Sequence, residues 1–228
     1  MDALKNTSET EAELKIKLSP EDMKKVFRTL MKKKGAAEVS HKFTPRMYYD
    51  TPELLLHQNG ISLRVQYNPG RNGRPGNNEQ TLKLEAASKA SSVRGVLRRK
   101  ECRSRLKNHQ PDLRVISDRQ ARKILTSLKC KKPVHIFTAA IERRFFDLEL
   151  GKGRERGLVE VAFDSGYLVL PHNGAYQGFS EIEIELKKGG TEFIGIVRDE
   201  IMRIASSARV QILSKAKQGV RLYLKRWK

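Results

Sequence analysis

The sequence predicts an α+β fold built on antiparallel sheet. Two observations carry this. About eight segments alternate with a period of two and follow one another in hairpin order. Three amphipathic helical segments fall in the connections between them. A third observation concerns the faces of those strands. Nearly every strand has one charged face and one apolar face, and the charged faces mix carboxylates with lysine.

In chain order, residues 1–9 read as a polar leader and 10–228 as one domain. Thr10–Leu18 is the first strand, with Glu11, Glu13 and Lys15 on one face and Ala12, Leu14 and Ile16 on the other. Ser19-Pro20-Glu21-Asp22 is a helix start: a cap, proline at the first helical position and acid in the first turn. Met23, Val26, Phe27, Leu30 and Met31 form that helix's apolar stripe, which stops near Gly35. Residues 42–50 make a strand ending in Tyr48 and Tyr49, two packing aromatics, and 52–59 a turn or short helix closed by Gly60. ISLRVQY is a strand with Ser62, Arg64 and Gln66 on one face. Residues 68–80, rich in Gly and Pro, are a loop carrying Arg71 and Arg74.

TLKLE continues the sheet, ASKASS loosens the chain, and GVLRRKECRSRL returns to strand. Ser117 or Asp118 caps a second helix, with Ala121, Ile124, Leu125 and Leu128 facing inward. HIFTAAIERRFFDLEL and LVEVAFD are strands joined by the turn GKGRERG, and Gly166 is expected to end the second. SEIEIELKK alternates without a break, and TEFIGIVRDEIMRIASS is the third helix. RVQILSKAKQGVRLYL is read as one or two short closing strands, and Trp227 as packing or loose chain.

The charged faces pose the functional question. Glu160 and Asp164 share one with Ala162; Glu181, Glu183, Glu185 and Lys187 share another; Thr81, Lys83 and Glu85 a third. An antiparallel sheet often turns such faces to water. Two features point elsewhere. An exposed face favours Thr, Lys and Arg over Glu and Asp. Carboxylates at i, i+2 and i+4 also repel unless a cation lies between them. If the sheet curls with its charged faces inward, the acids can hold a hard cation such as Mg²⁺ or Mn²⁺, and the lysines and arginines an anion.

Composition agrees with an anionic partner. The 228 residues carry a formal charge of +20, a field that draws phosphates, polyphosphate or RNA. Cys102 and Cys130 lack metal-ligand spacing and read as plain thiols. The start has no apolar signal region, and no apolar run reaches the roughly 18 residues that span a bilayer, so the expectation is a cytoplasmic protein without a membrane partner. Oligomeric state stays open.

TEAELKIKL resembles the E-x-E-x-K signature of the CYTH superfamily, the triphosphate tunnel metalloenzymes. MYYDTPELLLHQNGISLRVQ, EQTLKLE, GVLRRKE, FTAAIERRFF, VEVAFDSG, SEIEIELKKGG and LSKAKQGVRL follow in that family's order, across about residues 9–224. The resemblance implies an eight-stranded antiparallel β-barrel tunnel with a charged interior and helices packed outside. It is closest to bacterial inorganic triphosphatases, so it implies metal-dependent hydrolysis of inorganic triphosphate, or a nucleoside triphosphate, to diphosphate and phosphate. By matching positions, Glu11, Glu13, Glu183 and Glu185, with Glu181 and Asp164, would hold the metal. Lys15, Arg64, Lys83, Arg99, Arg143 and Lys215 would bind phosphate, and Glu11, Glu13, Lys15 and Lys215 would carry the chemistry.

The chain departs from the pattern twice: Gln66 stands where a second arginine is common, and Arg103 where an acid often continues from Glu101. The first loses a phosphate contact; the second weakens Glu101 as a metal ligand. Two alternatives remain at this point. A class IV adenylate cyclase shares the fold, and a polyphosphate- or RNA-binding module would need only the basic charge.

Overall fold

The computed structural model describes residues 7–33, 36–67, 78–85, 93–130, 132–153 and 155–225. Nine strands are present among them: β1 (Thr7–Lys17), β2 (Ser40–Asp50), β3 (Ile61–Gln66), β4 (Asn78–Glu85), β5 (Leu97–Leu106), β6 (Val134–Lys152), β7 (Glu155–Val169), β8 (Tyr176–Lys188) and β9 (Arg209–Val210). The first eight run β5-β4-β3-β2-β6-β7-β8-β1, and pairing of β1 with β5 closes the ring. All neighbours are antiparallel. β9 adds to β1 outside the ring. The predicted eight-stranded barrel is therefore the observed one, with one extra strand.

The helices are α1 (Pro20–Met31), α2 (Leu55–Gln58), α3 (Arg119–Ser127), α4 (Glu192–Ile204) and α5 (Lys215–Lys225). Ser19 caps α1 as the sequence indicates, its Oγ accepting from the Asp22 N–H at 3.2 Å. Asp118, rather than Ser117, caps α3, accepting from the Ala121 N–H at 2.8 Å.

The core lies mostly outside the barrel wall. Leu14 and Ile16 of β1, Val159, Val161 and Phe163 of β7, and Ile182 and Ile184 of β8 point outward and are covered by α1 and α4. Leu63, Val65, Leu82, Leu84 and Cys102 point outward beneath α3. Met23, Val26 and Leu30 of α1 and Phe193, Ile194, Val197 and Ile201 of α4 are buried there, each worth roughly 1.5–3 kcal/mol against exposure. That outer burial lets the inner face be polar.

A third apolar cluster joins Tyr48, Phe137, Ile141 and Leu168 to Val220 of α5. These strand residues share faces with Arg46, Arg143 and Asp164, so α5 stoppers one end of the interior. Gly219 of α5 lies flat on the Phe137 ring, where a side chain has no room.

Several boundaries differ from the sequence reading. β1 begins at Thr7, so residues 7–9 of the expected leader are strand. Residues 78–80 of the expected loop belong to β4; residues 68–77, with Arg71 and Arg74, lie outside the described residues, as do 87–92 and Trp227. β7 does not end at Gly166 but runs on to Val169. Gly166 adopts φ +152° because its backbone lies against the Ala140 carbonyl, so the glycine permits close approach instead of ending the strand. The C-terminal strands beyond Val210 are a helix. Ser214 caps α5, its Oγ accepting from the Lys217 N–H at 3.2 Å, and Ala216, Val220 and Tyr223 recur at helical spacing.

Candidate functional site in the barrel interior

The inward faces bring the predicted charges together. β1 presents Glu11, Glu13 and Lys15, and the register sets Glu13 opposite Glu185 and Lys15 opposite Glu183. β7 and β8 set Asp164 opposite Glu181, and β6 sets Arg143 opposite Asp164. β4 and β5 place Lys83 across from Glu101, and β1 and β5 place Glu11 across from Arg99.

Glu13, Lys15, Arg64, Lys83, Arg99, Glu183 and Lys215 line one cavity of about 30 Å³, together with Arg46 and Tyr48. A larger cavity, about 940 Å³, lies against the other face of β6 and β7, beside Ala140, Glu142, Ser165 and Tyr167, away from these charges. The chemistry-bearing groups belong to the small inner one.

Two sectors can be distinguished inside. In the first, Asp164, Glu181 and Glu183 each offer one carboxylate oxygen, all within 4.8 Å of one another. Three cations answer them. Lys215 Nζ donates to Asp164 at 2.8 Å, Glu181 at 2.5 Å and Glu183 at 2.8 Å. Arg143 grips Asp164 with two bonds of 2.6 Å and reaches Glu183 at 2.5 Å. Lys15 contacts Glu183 and donates to Glu13 at 3.1 Å. Burial alone would push the Glu183 carboxyl up; Lys15, Lys215 and Arg143 overcome it and hold it well below the usual range. Burial would likewise lower Lys215, but Asp164, Glu181 and Glu183 raise it.

In the second sector the balance is looser. Burial would raise Glu13, yet Lys15, Lys83 and Arg99 hold it at about 2. Its Oε1 accepts no hydrogen bond although buried, with Arg99 Nη1 3.4 Å away. Burial and then Glu11 push Glu185 up; Glu185 sits away from the cavity lining, joined to Lys187 at 2.8 Å. Burial lowers Lys83 to about 8, even though it contacts Glu101 and stands 3.5 Å from Glu11.

Arg103 does more than dilute an acid pattern. It contacts Glu11, reaches Glu101 at 3.2 Å and Glu9 at 2.7 Å, and so ties β1 to β5. Tyr48 stacks on Phe137 at 4.5 Å, the packing role expected of it. Cys102 and Cys130 are free and buried.

Sequence reasoning overlooked Arg46 and Gln218. Gln218 of α5 reaches Glu181 at 3.4 Å. It was hidden by the reading of that segment as strand. Arg46 is 6% exposed and lines the cavity. The alternation of Lys42, Thr44 and Arg46 on one face was the signal that could have found it.

The carboxylates fit a hard divalent cation by chemistry: all donors are oxygens, they cluster, and one buried oxygen of Glu13 lacks a hydrogen bond. No helix is long and apolar enough to cross a membrane among the described residues.

Comparison with known proteins places this architecture. Three solved structures share the fold. One is an adenylate cyclase candidate from Bacillus halodurans (TM-score 0.54, 19% identity, covering 92% of this chain and 97% of that one). Another is HpAC1 from Hippeastrum, whose dominant activity is that of a triphosphatase (0.58, 14%, 95% and 96%). The third is PH1819 from Pyrococcus horikoshii OT3 (0.51, 15%, 92% and 98%). No curated protein matches the chain. The CYTH domain profile matches residues 9–220, nearly all of the barrel and its covering helices, and the chain belongs to the CYTH family.

Proposed function

We propose that this protein hydrolyses inorganic triphosphate to diphosphate and phosphate, with a divalent cation, Mg²⁺ or Mn²⁺, held by Glu11, Glu13, Glu183 and Glu185 with help from Glu181 and Asp164. The observation that carries this reading is the closed interior whose small cavity is lined by six cations, Lys15, Arg46, Arg64, Lys83, Arg99 and Lys215, and two carboxylates, Glu13 and Glu183. A polyphosphate with its counter-cation is the ligand that satisfies both signs at once.

The bound cation would supply neutralisation of charge on the phosphate oxygens. The chain's own groups do the rest. Arg64 has no ion pair among the described residues, and its Nε makes no hydrogen bond, so it can take phosphate oxygens without breaking a contact. Lys83 and Arg99 stand beside it on the cavity wall. Lys15 and Lys215, on the cavity wall and fixed by acids in the first sector with Arg143 behind them, present oriented N–H donors to the leaving diphosphate. Water adds to the terminal phosphorus as the bridging P–O bond breaks; the diphosphate leaves with the bridging oxygen and its charge, and the water's oxygen and two protons depart with the released phosphate, as H2PO4⁻.

Tyr48, the aromatic on the cavity wall, is already stacked on Phe137, which supports a substrate without a base. The test is a panel of inorganic triphosphate, ATP, thiamine triphosphate and long polyphosphate, each with Mg²⁺ and with Mn²⁺, scoring phosphate, diphosphate and cyclic nucleotide. Inorganic triphosphate is expected to turn over fastest, EDTA to stop it, and Glu13→Gln to lower the rate by on the order of 100-fold or more. Cyclic nucleotide as the main product would replace this reading with a cyclase. Binding without turnover and without need for a divalent cation would replace it with a polyanion-binding module. A wild-type rate in Glu13→Gln would remove Glu13 from the chemistry.

A further inference from the structure

We propose that Arg46 grips the phosphate chain from β2 and supplies the cation that Gln66 leaves neutral across the β2–β3 ladder; this rests on the triphosphatase reading above. The register makes Arg46 and Gln66 direct partners, so the two side chains enter the interior at the same level from neighbouring strands. A positive charge at either position covers nearly the same part of the cavity.

Four observations support a ligand role over a structural one. Arg46 is 6% exposed, yet among the described residues its side chain has no ion pair and no side-chain hydrogen bond. Its Nε is a buried donor with no acceptor. Its strongest charged neighbours are themselves cations, Arg64 and Arg143; with burial acting first, they lower its pKa to about 10. It lines the inner cavity beside Arg64, the other arginine there without a carboxylate. A buried guanidinium in that company destabilises the fold. It becomes favourable when an anion with several oxygens enters, because the planar fork can take two of them at once. Arg143, by contrast, is held by Asp164 and Glu183 and is less available.

The experiment compares wild type, Arg46→Gln, Gln66→Arg and the double variant Arg46→Gln/Gln66→Arg. The readouts are calorimetric binding of inorganic triphosphate, steady-state kinetics with Mg²⁺ or Mn²⁺, and melting without ligand. Arg114→Gln is the control, since Arg114 is 90% exposed at its side chain and far from the cavity lining. Arg46→Gln is expected to weaken triphosphate binding and raise KM by on the order of 10- to 100-fold, the loss of a charge-assisted pair of hydrogen bonds. The double variant is expected to recover to within about threefold of wild type, and Arg114→Gln to stay unchanged. Without ligand, Arg46→Gln is expected to melt no lower than wild type, because it removes an uncompensated buried charge.

Triphosphate binding by Arg46→Gln within about twofold of wild type overturns the proposal. So does a melting temperature well below wild type, which would make Arg46 structural, or a double variant no better than the single. A wild-type protein that neither binds nor hydrolyses triphosphate is a different failure: it removes the underlying triphosphatase reading.

Discussion

Replacing Asp164 by Asn removes one negative charge from the most enclosed part of the barrel without changing its shape. Asp164 is 0% exposed and accepts two bonds of 2.6 Å from Arg143 and one of 2.8 Å from Lys215. In that sector Asp164, Glu181 and Glu183 face Arg143, Lys215 and Lys15, three charges against three. The substitution leaves one buried cation in excess, and breaking a buried pair from one side costs about 3–5 kcal/mol. For a chain of this length that is a melting shift of roughly 6–20 °C downward. Urea denaturation monitored by circular dichroism gives the free energy directly. The companion variant Asp164→Asn/Arg143→Gln restores the balance at two against two and is expected to recover at least half of the loss. A single variant within about 1 kcal/mol of wild type, or a double variant less stable than the single, would refute the claim that charge matching holds this sector together.

Two other outcomes follow from the same interior. Lys83, lowered to about 8, is cationic below that pH and neutral above it, so kcat/KM for triphosphate is expected to fall as pH rises through about 8. Lys83→Arg keeps its charge throughout and is expected to extend the plateau upward, which pH profiles of the two proteins compare directly. Gly166→Ala forces a side chain against the Ala140 carbonyl at φ +152°, and a loss of roughly 1–3 kcal/mol in denaturant titration is the expected result.

Much of the barrel was legible because strand alternation is strict. Glu181, Glu183 and Glu185 cannot share a face in a strand without Ile182 and Ile184 sharing the other, so the two-faced strands could be read from the string alone, whereas the inward turn of the charged face came from the family resemblance. The site was legible for the same reason on β1, β4 and β8. It failed where two periods compete. Val210 and Ile212 alternate like a strand, whereas the stretch after Ser214 repeats every three or four residues, and only the cap at Ser214 separates them. That error hid Gln218. Arg46 lies in the stretch 42–50 that reads as a strand, but its face carries Lys42 and Thr44 and no carboxylate, so the mix of both signs that marks the other inner faces is missing there. Which cations are tied to carboxylates and which are free depends on contacts between residues far apart in sequence, such as Lys215 with Asp164 and Glu181, and no local pattern encodes that.

The seam of the ring lies on β1, whose early residues pair with β5 and whose later ones pair with β8. Because both partners of β1 follow it in the chain, during synthesis it has no permanent neighbour until residues near 100 emerge, and no complete one until those near 185 do. Closure depends on contacts of long sequence separation, which form slowly. During that wait Leu14 and Ile16 are uncovered on an unpaired ribbon, the kind of stretch that sticks to other chains. On its opposite face Glu11, Glu13 and Lys15 put charge on the same ribbon, the kind of residue that discourages such pairing.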